Sequence, residues 1–179
     1  MKRIKIRKPE RNYELGKLLG LLWVYGNIVR KNHSYVLEVY TKNKFKKYIE
    51  EIGDLLSKNF GIEIKIKRNK LKKLNIGEKG FLVEGYYIHK SCRELCDFLL
   101  DLGFNKDPEK INSYLNKEFA KGIFDGFYPF IKKKGNRKYI NSLNQNQLKL
   151  IKIISEFLGY KVKEYKYRNY FYTVIYDRI

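Results

Sequence analysis

One run of elements occurs twice in this chain, and that duplication restricts the fold more than any single motif does. Leu15, Leu18, Leu19, Leu21, Leu22 and Val24 form an apolar helix that stops at Gly26 and Asn27. Two short strands, 28–30 and 35–40, flank the polar turn 31–34. Phe45, Ile49, Ile52, Leu55 and Leu56 recur at steps of three and four up to Gly61, which predicts an amphipathic second helix. Ile62, Ile64 and Ile66 then alternate with Glu63, Lys65 and Lys67, as a half-buried strand requires. A fourth strand at 81–89 precedes a third helix between Ser91, read as its N-cap, and Gly103. The second half repeats the order: a helix over 108–125, strands at 130–134 and 138–143, a helix over 147–158, strands at 161–167 and 171–176. Residues 46–67 match residues 147–167 element for element. The chain therefore reads as an α+β protein of two repeats, 12–104 and 105–179, behind a basic arm, 1–11, with Asn105, Asp107 and Pro108 marking the join.

Charge limits the partners of such a fold. The 39 Lys and Arg residues face only 19 Asp and Glu, a formal net charge of +20. A hot habitat raises both signs together on protein surfaces, so an unbalanced excess points instead to a polyanionic partner, nucleic acid above all. Hydrophobic content of 44% supports a packed core. The first eleven residues lack the apolar region of a signal peptide, and no apolar run reaches membrane-spanning length; the expectation is a protein neither secreted nor membrane-embedded. Two cysteines without a regular framework favour a reducing, cytoplasmic compartment. Cys92 and Cys96, with His89, are one ligand short of a closed zinc site, and the cysteines fall on the buried side of a helix, so neither metal nor cofactor is expected.

The two repeats open on parallel segments, Leu18-Leu19-Gly20-Leu21-Leu22-Trp23-Val24-Tyr25-Gly26 and Ala120-Lys121-Gly122-Ile123-Phe124-Asp125-Gly126-Phe127-Tyr128. Each resembles a LAGLIDADG motif, and the surrounding αββαββ(α) order resembles the repeat of the LAGLIDADG homing endonucleases. The resemblance implies a pseudo-two-fold monomer whose two curved antiparallel sheets form a saddle for the DNA groove, with helices packed behind. It places Gly20 and Gly122 at a close helix contact, a reason for interior glycines that otherwise cost a helix about 1 kcal/mol each. In family enzymes the eighth motif position of each repeat carries a metal-binding acid. Here those positions are Tyr25 and Phe127, and the sixth positions are Trp23 and Asp125. Metal-assisted phosphodiester hydrolysis needs oxygen ligands, which neither a phenol nor a phenyl ring supplies at neutral pH. Asp125 alone is not a pair, and the next carboxylate after Tyr25 is Glu38. The expected function is recognition of DNA or structured RNA without cleavage. One alternative is a divergent endonuclease using Asp125 with carboxylates from elsewhere in the fold; another is a maturase-like or ribonucleoprotein assembly factor.

Basic residues on the expected strands are the candidates for contact with nucleic acid. They are Arg30 and Lys31 at the first hairpin, Lys65 and Lys67 opposite the isoleucines, and Lys132, Lys133, Lys134, Arg137 and Lys138 around Gly135-Asn136. Tyr139, Asn141 and Asn144 are further candidates for base edges, although asparagine there also suits a turn. Lys163, Lys166 and Arg168 complete the set, with strand parity leaving open which of them faces a ligand. Tyrosine, 16 residues in all, clusters with lysine over 163–172, which suits stacking on unpaired bases as well as packing on a half-wet sheet.

Overall fold

The computed structural model describes residues 5–31, 34–76, 79–135, 137–140, 144–167 and 170–176. They divide into two compact units, one formed by Tyr25–Asp97 with the segment before Glu10, the other by Glu10–Val24 with the chain from Phe98 onward.

The first unit is built on a sheet of order β1-β2-β4-β3, every pair antiparallel, from β1 (Gly26–Lys31), β2 (Ser34–Lys42), β3 (Ile66–Ile76) and β4 (Lys79–Ser91). Register puts Leu37 and Val39 on one face beside Ile28 and Ile88, and there they are buried together with Thr41. Helix α2 (Lys46–Phe60) covers that face with Ile49, Ile52, Leu56 and Phe60, all fully buried. Each such side chain taken from water contributes about 1.5–3 kcal/mol, which is why the three-and-four spacing decides the helix. The helix stops where Gly61 turns left-handed, φ +67°, and its N–H donates to the Ser57 carbonyl at 2.9 Å. The arm is tied to this unit, since Arg7 N–H donates to the Phe60 carbonyl and Ile6 N–H to the Glu94 carboxylate.

Two expectations need correction here. The strand anticipated from Ile62 begins only at Ile66, where pairing with Ile88 starts; 61–65 has no ladder partner, although Ile64 and Ile66 both lie against Gly53 of α2. Ser91 is not the cap of the third helix. It pairs with Val36 as the last residue of β4, and α3 (Arg93–Asp101) opens with Cys96 N–H donating to the Cys92 carbonyl.

The second unit holds most of α1 (Tyr13–Tyr25), α4 (Lys117–Gly126), α5 (Gln145–Phe157) and a sheet whose order, β5-β6-β8-β7, repeats that of the first. Its antiparallel strands are β5 (Ile131–Lys134), β6 (Arg137–Ile140), β7 (Lys161–Tyr167) and β8 (Tyr170–Tyr176). The helix anticipated over 108–125 is two pieces, a 3₁₀ segment Pro108–Tyr114 and then α4. Capping separates them. The Asp107 carboxylate accepts from Glu109 N–H to start the first, and extended Asn116 accepts from Phe119 N–H at 2.8 Å to start the second. Asn144 begins α5 through a capping box with Gln147, so its side-chain oxygen is occupied by the helix end. Ile140, Thr173 and Ile175 are buried on the helix side of this sheet, where Lys152 of α5 meets Glu164 of β7 at 2.7 Å. Among the described residues no helix is long and apolar enough to cross a membrane.

Candidate functional site

Helices α1 and α4, which carry the two motifs, approach closely enough for backbone to touch backbone. A Cβ placed on Gly126 would lie 2.6 Å from the Lys17 carbonyl oxygen and 2.7 Å from Gly20 Cα. One placed on Gly122 would lie 2.7 Å from Lys17 N and 3.0 Å from Gly16 Cα, with the Tyr13 carbonyl oxygen closer still. The contact thus uses four glycines in two pairs, Gly16 with Gly122 and Gly20 with Gly126, rather than Gly20 against Gly122. The signal for the other two was in the sequence: each lies four residues from a motif glycine, on the same helix face.

At the motif ends the side chains are aromatic and engaged. Phe127 is fully buried and closes α4 through its N–H to the Phe124 carbonyl. Trp23 is buried edge-on to Phe104 at 5.4 Å, and its carbonyl accepts from the Gln147 amide. Tyr25 stacks on Tyr48 at 5.8 Å beside Phe45. Burial, then the Tyr48 phenol, pushes its ionisation far above the ordinary tyrosine range, so it is neutral at physiological pH and offers no anion to a metal. Asp125 accepts a hydrogen bond from the Tyr13 hydroxyl at 2.9 Å across the helix contact. These residues do not fit the divalent metal that the resemblance attaches to the motif acids. Among the described residues no group of three His, Cys, Asp or Glu is placed to hold a metal ion. Cys92 and Cys96 are buried free thiols, while His89 stands on the outer sheet face 3.9 Å from Glu38.

The solvent faces of the two sheets differ in chemistry. In the first sheet, register puts Asn27, Lys31, Glu38, Tyr40, His89 and Lys67 on the side away from α2, a mixture of donors and acceptors. Lys31 is paired there with Glu38 at 2.5 Å. Arg30, next to Lys31, points to the opposite face, and Lys65 precedes the strand. In the second sheet, Lys132, Lys134 and Arg137 face outward, as do Lys161 and Lys163. Lys133, Lys138 and Lys166 belong to the helix side by alternation; Lys138 lies over the rings of Tyr160, at 4.6 Å, and Phe124, at 5.6 Å. The basic cluster around the hairpin is therefore divided by the sheet. Asn141 and Arg168 lie outside the described residues.

Between the outward cations of this second sheet stand Tyr139, Tyr165, Tyr172 and Tyr176. Tyr165 is directly opposite Tyr172, their rings 5.2 Å apart and 14° from parallel, and its hydroxyl is 3.2 Å from that of Tyr176. The Arg137 guanidinium lies 5.5 Å from the Tyr176 ring centre, and the Lys163 amine 6.0 Å. Periodicity alone had no means of finding Tyr176 as part of this surface; the β8 pairing puts it there.

The sequence matches no protein-family model and no curated protein. Solved structures do match. I-DmoI in complex with its target DNA superposes with a TM-score of 0.62 at 17% identity, covering 94% of this chain and 89% of that one. The homing endonuclease I-WcaI bound to its DNA recognition sequence gives 0.59 at 11% identity, covering 95% and 77%. Full-length DUF199/WhiA from Thermotoga maritima gives 0.55 at 12%, covering 94% of this chain and 52% of that one. At these identities the likeness concerns architecture, and with the repeated strand order and the glycine-paired motif helices it shows that the chain has the LAGLIDADG-like α+β fold.

Proposed function

We propose that the protein binds nucleic acid through the outer faces of its sheets and does not cut it. The observation that carries this reading is the outer face of the second sheet. Five cations stand there on β5, β6 and β7, and no acidic side chain shares the face among the described residues. The nearest strand carboxylate, Glu164, is turned to the helix side and held by Lys152. An uncompensated array of this kind, in a chain of net charge +20, attracts phosphates at long range and releases their counterions on contact. That I-DmoI and I-WcaI are seen with DNA supports the same choice of partner. Tyr25 and Phe127 at the motif acid positions, with Asp125 engaged by Tyr13, support binding without hydrolysis.

If all five outward cations neutralise a phosphate each, log affinity falls against log salt with a slope of roughly −4 to −5 on a duplex and roughly −3 to −4 on a single strand. Alanine at Lys132, Lys134 and Arg137 together reduces that slope by about three and weakens every sequence alike. Salt-independent binding, or no binding, refutes the reading. Incubation with nucleic acid and Mg²⁺ or Mn²⁺ tests the second half: cleavage that Asp125→Asn abolishes would show that the chain is an endonuclease after all.

A further inference from the structure

Resting on that reading, we propose that the outer face of the β5–β8 sheet is a stacking surface for unpaired bases, so that its ligand is single-stranded nucleic acid. The four tyrosines there lie on three hydrogen-bonded neighbours, β6, β8 and β7, around the buried Val174, with Tyr165, Tyr172 and Tyr176 in mutual contact through Tyr165. Their rings are held before any ligand arrives, Tyr165 by its stack on Tyr172 and by the Tyr176 hydroxyl. Tyr165 is still 37% exposed. A fixed, half-exposed ring loses little rotamer freedom on receiving a base, and stacking accepts any base because every base has a π face.

What the face lacks argues the same way. In a closed duplex Asn or Gln reads the adenine edge, and Arg or Lys the guanine edge. Among the described residues this face carries no Asn or Gln, and its one arginine, Arg137, lies over Tyr176. Lysine and tyrosine remain, a backbone track and a stacking bed. The outer face of the first sheet, with Asn27, Glu38 and His89, is of the other kind and suits edge recognition.

The test uses the whole chain and fluorescence anisotropy at one salt concentration, with single-stranded DNA and RNA of about 12 nucleotides. An abasic strand with the same number of phosphates and a blunt duplex complete the set. The intact strands bind the wild-type protein roughly tenfold or more tighter than the abasic strand, DNA and RNA alike. Tyr165→Leu with Tyr172→Leu removes that advantage and leaves abasic and duplex affinities unchanged, whereas Tyr165→Phe keeps it, because the ring and not the hydroxyl receives the base. Equal affinity for intact and abasic strands overturns the inference on the wild-type protein alone, even if the leucine variant fails to fold. So does a leucine variant that weakens duplex and single strand equally, while leaving the nucleic-acid reading in place. Absence of binding to every polyanion overturns both.

Discussion

Replacing Gly122 by alanine adds one methyl group at a place where two helix backbones already touch. That methyl would sit 2.7 Å from Lys17 N and 3.0 Å from Gly16 Cα. Comfortable separations are about 3.5–4.0 Å, and the Tyr13 carbonyl oxygen lies nearer than either of these atoms, so α1 has to retreat by about 1–1.5 Å. The neighbours are main-chain atoms of a helix and cannot rotate away. Such overpacking costs about 1–3 kcal/mol, and the rigidity of the partner puts this site at the upper end. Alanine's better helix propensity returns about 1 kcal/mol. The net loss is about 2 kcal/mol, a fall in Tm of roughly 4–8 °C for a chain of this size. Gly53→Ala is the matched control: the same change inside helix α2, but the nearest atom is the end of a flexible side chain, Ile66 Cδ1 at 3.3 Å. There the propensity gain survives, and Tm stays level or rises by about 2–4 °C. Thermal unfolding of both variants followed by circular dichroism decides. If Gly122→Ala melts with the wild type, or both variants move in the same direction, the close helix contact does not have the energetic weight assigned to it.

Asn144→Ala removes the capping box of α5 and lowers stability by about 1 kcal/mol, measured as a urea midpoint; an unchanged midpoint contradicts the cap. Tyr13→Phe takes the hydroxyl from the part-buried Asp125 carboxylate and costs about 1 kcal/mol, again by urea unfolding, with Asp125→Ala, which has no acceptor left, largely insensitive to the further change. Burial, with Cys92 and Asp97 beside it, pushes the Cys96 thiol from 9.0 up to about 11. A group whose ionisation is raised by folding stabilises the fold fully below its unfolded value. That contribution is lost between pH 9.0 and about 11, as the unfolded thiol ionises and the folded one does not. Wild-type protein therefore loses more stability over this window than Cys96→Ala, and equal slopes would refute it.

The sequence determined the kind and order of the principal helices and strands, because their signals are local. Apolar spacing of three and four marks α2 and α5, alternation marks β7 and β8, and Gly61 ends a helix by its own backbone freedom. It also showed the motif glycines and the aromatic residues, Tyr25 and Phe127, at the motif's eighth positions, since a motif is a matter of position along the chain. The break at Asn116 was legible in principle, an asparagine three residues before a buried phenylalanine, but the apolar period runs through it and conceals the cap.

Tertiary structure decided the rest, and for one physical reason. Alternation says that neighbouring strand residues face opposite ways, but not which way is water; that depends on where the helices lie. Pairing across β5 to β8 turned Lys163 and Tyr165 outward and Lys166 inward, and set Lys132 apart from Lys133. The same alternation put Lys31 on the solvent face of its sheet and Arg30 on the other. Likewise, that Gly16 meets Gly122 and Gly20 meets Gly126 follows from how far one helix is shifted along the other, a quantity no local pattern encodes. The composition of this protein is written in its sequence, whereas the grouping of its cations and rings into a surface exists only once the strands are paired.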